Sequence, residues 1–365
     1  MRFIELDRLR DEVVLARNLP SDRPSGALLL RAGTTVTASL ARRIADEGST
    51  GLWIEDELGA GIEPTPEFPA DVVGLALHAV GEALAAAPRA IARQRELEPQ
   101  IVRRLREAGD EIADAVLEYP ADQCPLSDMP ATVASASWHA VRVALLGAFI
   151  ALRALTQSGW VDYQGTRRFD RFDERLSTLA FGLLVHDVGV APPAVPAAGM
   201  VPEADQDPAH TSRGSALFAA ENTPAAARVV IHSHHERWNG SGYPEGKYGD
   251  AAAQNARIAA IADCYDALRA SRPGGTPEPI HAAVEQITTA DGHLFDPALL
   301  AHFTALVPPH QVGHTLVLPD GRDAVVVSLP RGDRLRPTVR LRDGSGAIIE
   351  LVADMNAARS SALAA

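Results

Sequence analysis

Apolar and polar positions along this 365-residue chain change their period twice. From residue 1 to about 66, short apolar runs such as ALLL and GLWIEDE flank one helical stretch, TASLARRIADEG, where Leu40 and Ile44 share a face and Gly48 can stop the helix. A small N-terminal α/β module is expected there. The Gly/Pro-rich GAGIEPTPEFP closes it, since that composition propagates neither helix nor strand. From about 67 to 130 the pattern turns helical and Ala-rich, with Ile101, Leu105, Ile112 and Val116 near helical spacing, until the prolines of YPADQCPLSDMP break it. These helices are expected to act as a connecting pair.

Residues 131 to 305 hold the main core, because WHAVRVALLGAFIALRAL, RLSTLAFGLLVHDVG, AHTSRGSALFAA, AAARVVIHSHHE, NARIAAIADCYDAL and ALLAHFTAL are amphipathic or wholly apolar helical segments. Between the first two lies a charged loop, Thr156 to Arg175, which reads as a solvated surface or as a cover over a substrate. After Pro308 the pattern alternates in HTLVLP, DAVVVSLP, PTVRLRD and AIIELV, separated by Asp-Gly and Gly-Asp turns. A small antiparallel β module over 306–356 and a frayed tail over 357–365 are expected. The fold class is mainly α.

Composition narrows the function. Lys plus Arg total 34 against 47 Asp plus Glu, a formal charge of -13 whose field disfavours a nucleic-acid polymer. Lys247 is the only lysine, a skew that looks like genomic bias. Cys124 and Cys264 are too few for a disulfide framework or a thiolate metal site, and a reducing cytoplasm fits them. The start MRFIELDRLRDE lacks the apolar core of a signal peptide. Val143 to Leu152 is roughly half the ~20 residues of a membrane span, so no span is expected and the localisation reads as cytoplasmic.

Chemistry concentrates in the helical core. His139, His186, His210, His232, His234 and His235 are half of the 12 histidines. His186-Asp187 ends the apolar LAFGLLV, and Asp263 sits inside IAAIADCYDAL, where a carboxylate is costly unless paired or bound to a metal. Imidazoles and carboxylates without thiolates favour iron, manganese or another first-row divalent ion. These side chains exceed the needs of one ion, and with Asp187 able to bridge they suit two ions ~3.5–4 Å apart, an arrangement for phosphoester hydrolysis. His232 reads as structural. His234 and His235, read as neighbours on one helix, point ~100° apart and share a site only if that helix end abuts it.

The motifs LLVHDVG, His210-x-x-x-Gly214, HHERWNGSGYPEG, ARIAAIADCYDAL and SRP together resemble the HD-GYP subgroup of the HD phosphohydrolase superfamily, whose members hydrolyse cyclic di-GMP. The block from HHE to GYP is long and highly specific. The resemblance implies a helical HD core over 131–305, with His139, His186, Asp187, His210, His234, His235 and Asp263 holding two divalent ions, iron or manganese. It implies His186 and Asp187 as catalytic, hydroxide held at the dinuclear site as nucleophile, and Gly242, Tyr243 and Pro244 as a signature loop beside it. Substrate contacts are expected from Arg272, Tyr243, Arg213 and Arg237.

The sequence departs from the family pattern at three places. Val190 stands where a lysine is usual, Ser135 stands where some members bind a third metal through Glu, and RPY with a following basic residue has become Arg272-Pro273-Gly274-Gly275. Two ions and slow turnover of cyclic di-GMP are therefore expected. The competing readings are a catalytically weak signalling module that binds metal and nucleotide, and an HD hydrolase of another phosphoester. A protein partner at the GYP loop or the terminal modules, and an oligomer, are compatible with the sequence.

Overall fold

The computed structural model describes residues 1–20, 28–46, 49, 51–120, 123–125, 135–161, 165–190, 207–218, 223–269, 278–290, 293–330, 334 and 336–351. At the N-terminus lie β1 (Arg2–Glu5), β2 (Val13–Leu15), β3 (Leu19–Pro20), β4 (Leu28–Leu30), β5 (Thr35–Val36), α1 (Ala38–Asp46) and β6 (Gly51–Glu55). They form an antiparallel sheet in the order β1-β6-β2-β5, and β3 pairs with β4. Ala41 and Ile44 of α1 fill a small cluster with Leu15, Val36, Leu52 and Ile54. Gly48, read as the stop of this helix, lies outside the described residues.

The helical body comprises α2 (Ala70–Ala92), α3 (Pro99–Glu118), α4 (Ala136–Gln157), the hairpin β7 (Trp160–Val161) and β8 (Arg167–Arg168), α5 (Phe172–Leu184), α6 (Ala209–Ala216), α7 (Ala225–Ser233), α8 (Gln254–Arg269), α9 (Ile280–Thr289) and α10 (Pro297–Leu306). The stripe of Ile101, Leu105, Ile112 and Val116 on α3 packs against α5 and belongs to the same hydrophobic cluster as α4 and α8. Helices α2 and α3 thus help enclose the core as well as connect. α4 is buried on nearly every side, as a helix apolar all round must be. By length and composition α2 and α4 would each pass for a bilayer span, more than the sequence reading allowed, and α4 spends that apolar surface inside the bundle. Gly182 lets α5 approach α7, where a Cβ would lie 2.9 Å from Val230 Cβ and 3.0 Å from the Ala227 carbonyl.

The described residues of the charged loop after α4 do not cover the histidine end of the bundle. Its hairpin buries Trp160 and is tied by Val161 N to Gln254 Oε1 at 2.8 Å, at the start of α8. His139 lies at the opposite end of α4, about 27 Å away along a helix rising 1.5 Å per residue. Of the two readings of this loop, the solvated surface fits the described residues, which are exposed over 165–171, and the substrate cover does not.

The C-terminal strands β9 (Thr315–Val317), β10 (Asp323–Ser328), β11 (Thr338–Leu341) and β12 (Ile348–Glu350) form an antiparallel sheet in the order β12-β11-β10-β9 around Leu316, Val326, Val339 and Leu341. The sequence separates the two terminal sheets by some 260 residues, yet they dock. Phe3 N donates to the Gly313 carbonyl at 2.9 Å, and the His314 ring stacks on Phe3 at 4.5 Å and meets Trp53 edge-on at 5.6 Å. Arg340 Nη1 donates to the Leu58 and Ala60 carbonyls at 2.7 and 2.9 Å.

Burial among these rings, with the charge of Arg269, lowers the pKa of His314, whose Nε2 has no hydrogen-bond partner. An imidazole with a depressed folded pKa favours folding above its unfolded pKa of about 6.5 and costs stability as the pH falls below it. His314→Phe should therefore remove about 1 kcal/mol of acid destabilisation per pH unit below about 6.5. Chemical denaturation across that range checks it, and parallel pH profiles for the two proteins would contradict it.

Candidate metal centre

Four helix ends and one helix face deliver the site. His139 lies in the first turn of α4, whose N-cap Ser135 accepts from Trp138 N at 3.4 Å. His186 and Asp187 occupy the turn that follows α5, and His210 lies in the first turn of α6. Asp263 faces in from α8. The expectation that His234 and His235 ride on one helix is corrected. α7 ends at Ser233, and His234 caps it while His235 already belongs to the turn into the next loop. Helical capping aims His234 inward, and the turn brings His235 round to the same point, so the two imidazoles meet with ring centroids 4.2 Å apart.

These side chains form two adjoining groups, Asp187 with His210, His234 and His235, and His139 with His186 and Asp263. Asp187 faces both. Its Oδ1 lies 3.4 Å from His210 Nε2 and 3.3 Å from His234 Nε2, while its Oδ2 lies 3.8 Å from His139 Nε2 and 3.7 Å from His186 Nε2. Asp263 Oδ1 lies 3.3 Å from His139 Nε2 and 3.7 Å from His186 Nε2.

The outer ring nitrogens define the tautomers. His186 Nδ1 lies 2.7 Å from the Leu183 carbonyl, His210 Nδ1 2.8 Å from the Asp207 carbonyl, and His234 Nδ1 3.2 Å from the Val230 and Ile231 carbonyls. A carbonyl only accepts, so each Nδ1 must donate and each Nε2 presents a lone pair inward. The inward nitrogens crowd: His139 and His186 Nε2 are 3.2 Å apart, as are His210 and His234 Nε2. Such nitrogens repel unless a proton or a cation lies between them. His235 adds a buried Nδ1 with no partner.

Electrostatics agree. Burial opposes a charge on His139, yet hydrogen bonds to Asp263 and Asp266 overcome it and raise its pKa to about 10. Burial would raise Asp187, but the surrounding imidazoles hold it far below the usual carboxylate range, and His139 and His186 do the same for Asp263. Burial drives His235 well below 6.5. Protons thus stand where positive charge is demanded, and the all-imidazole and carboxylate donor set fits divalent first-row ions.

Two close approaches hold the frame. At Gly189 a Cβ would lie 2.0 Å from the His210 carbonyl and 2.4 Å from Gly214 N, so α6 rests directly on the backbone after Asp187. At Gly242 it would lie 2.2 Å from the His235 carbonyl. Glu236, 2% exposed, accepts from Glu245 N and Lys247 N, each at 2.8 Å, and so pins the loop after the histidine pair. Tyr243 stacks on His235 with centroids 4.7 Å apart and meets His210 edge-on at 6.2 Å, and Pro244 follows it through a cis peptide bond.

The arginines divide. Arg213 donates to the Gly189 carbonyl at 3.1 and 3.0 Å and pairs with Asp207 at 2.6 Å, which keeps it beside the turn bearing Asp187. Arg237 is only 2% exposed, its Nη1 donating to the His234 and Glu236 carbonyls, so it supports the histidine turn from behind. Arg272, with Pro273, Gly274 and Gly275, lies outside the described residues. Sequence reasoning missed Glu236, Arg142 and Asp266. The available signal was a second carboxylate, three residues after Asp263, in the same apolar run.

Gly189→Ala should displace α6, draw His210 away from Asp187 and cost about 1–3 kcal/mol by overpacking. Urea denaturation measures this, and wild-type stability would contradict the close approach.

A family model described as an HD domain matches residues 202–299, the stretch that holds His210, His234, His235 and Asp263. A cyclic di-GMP phosphodiesterase of Thermotoga maritima is 34% identical over 100 residues, 27% of this chain and 27% of that protein. The cyclic di-GMP phosphodiesterase PA4108 of Pseudomonas aeruginosa is 27% identical over 239 residues, 64% of this chain and 54% of that protein. The chain thus spans from about a quarter to about half the length of these relatives. Among solved structures, a HDG"Y"P protein from Bdellovibrio bacteriovorus aligns over 82% of this chain and 97% of its own, at 16% identity and a TM-score of 0.46. The HD motif, the HHE-to-GYP block and the HD-domain match converge on one histidine–aspartate centre, so the chain carries an HD domain over residues 202–299 and is similar in sequence to cyclic di-GMP phosphodiesterases.

Proposed function

We propose that the chain is a cyclic di-GMP phosphodiesterase whose centre holds two divalent ions, iron or manganese. The observation that carries the reading is the position of Asp187, whose two oxygens face two different groups of imidazoles. His139, His186 and Asp263 would hold one ion, His210, His234 and His235 the other, with Asp187 shared. When bound, such ions supply positive charge to phosphoryl oxygens and acidity to a water. The Nδ1–carbonyl bonds keep His186, His210 and His234 in their donor tautomer. Tyr243, packed on His235, shapes the wall beside that half of the centre and limits its access to water. Arg213, held beside the turn that bears Asp187 by its bonds to the Gly189 carbonyl, would supply the phosphate-binding cation that Val190 does not.

Purified without oxygen and assayed with iron or manganese, the protein should convert cyclic di-GMP to linear pGpG or GMP. Asp187→Asn should lose both ions and abolish turnover, because both groups lean on this carboxylate. Full metal content with unchanged turnover in Asp187→Asn would sink the two-ion reading, and intact nucleotide with the wild type would sink the substrate.

Metal uptake should also release protons. His139 carries one when its pKa stands at about 10, and its Nε2 must lose it to become a ligand. Adding Mn2+ to the metal-free protein in weak buffer near neutral pH should acidify the solution, by about one proton more than in His139→Ala. Equal release from the two proteins would contradict the protonated His139.

A further inference from the structure

We propose that Asp266 and Arg142 form a positioning pair behind His139 that makes the two halves of the centre unequal, so that the half built from His139, His186 and Asp263 binds its divalent ion first and more tightly. This rests on the two-ion reading.

The observations are geometric. His139 and Arg142 are three residues apart on α4, and Asp263 and Asp266 are three apart on α8, so each pair shares a helix face where the two helices pack. Asp263 turns toward the centre, whereas Asp266 sits behind His139 with Oδ2 2.8 Å from its Nδ1. Arg142 forks onto the same carboxylate, Nε to Oδ1 at 2.5 Å and Nη2 to Oδ2 at 3.0 Å, and both residues are 5% exposed or less. The fork fixes the plane of the carboxylate, and the carboxylate fixes the ring.

The other half has no such support among the described residues. His210 and His234 rest on neutral peptide carbonyls, and His235 Nδ1 has no partner. A carboxylate pulls more strongly than a carbonyl on the Nδ1 proton and so enriches Nε2 as a donor, and losing such a support typically weakens metal affinity by about 10–100-fold. An ion pair serving the fold alone would not need to place one oxygen on the ring of His139.

Mn2+ alone is the probe, titrated into the metal-free full-length chain with the free ion read by electron paramagnetic resonance. The wild type should bind in two steps of unequal affinity. Asp266→Asn should weaken the tighter step by about 10–100-fold and leave the weaker one in place. His210→Ala should remove the weaker step and spare the tighter. Asp266→Asn strands the buried Arg142 charge, so the double variant Asp266→Asn/Arg142→Gln removes the pair as a unit and should show the same selective loss if the single variant does not fold. Two equal steps in the wild type, a variant that moves both steps together, or a tight step lost in His210→Ala would overturn the proposal. Two bound ions with Asp266→Asn unchanged would overturn it alone, whereas no bound Mn2+ in the wild type would overturn the two-ion reading with it.

Discussion

A largely enclosed carboxylate between two sets of imidazoles is the constraint on which the helical body depends. Asp187 stands where burial alone would neutralise it, and it stays charged because His139, His186, His210 and His234 surround it. Each histidine comes from a separate segment, so satisfying this one charge obliges α4, α6, α7 and the turn after α5 to converge. Helix ends suit the task. A turn or a first helical residue can swing its side chain across a gap that a residue in mid-helix cannot reach, and the carbonyls of Leu183, Asp207 and Val230, each already accepting a backbone amide, take the Nδ1 bond as a second one.

Convergence at this density leaves no room between backbones. Gly189 against Gly214 and Gly242 against His235 are the points where the segments touch. Glu236 performs the corresponding task with hydrogen bonds, because both of its oxygens are taken by amides of the loop that carries Tyr243 and Pro244. The glycines of H-D-x-G, of H-x-x-x-G and of the GYP block therefore serve one purpose, to let polar side chains meet where larger neighbours would hold them apart.

Much of this was legible in the residues. The helices that carry the site and the strands of both terminal modules could be read from period, since buried helices and alternating strands leave strong patterns, and the histidines and aspartates that meet at the centre could be read from the motifs. Other features leave none. The end of α7 at Ser233 was hidden because HSHHER has no glycine or proline to mark it. The docking of Phe3 and Trp53 on His314 joins residues from opposite ends of the chain, a contact that no local pattern encodes. Arg237 was expected to contact substrate, and its burial against Phe295 follows from tertiary packing alone. Asp266 was in view beside Asp263, but a carboxylate's task depends on which ring it faces, and that requires α4 and α8 to be in place.

Anomalous diffraction at the manganese or iron edge, from crystals of metal-loaded protein, tests the central claim most directly. The account predicts two peaks about 3.5–4 Å apart, one on each side of Asp187. A single peak, or metal bound away from Asp187, would contradict it.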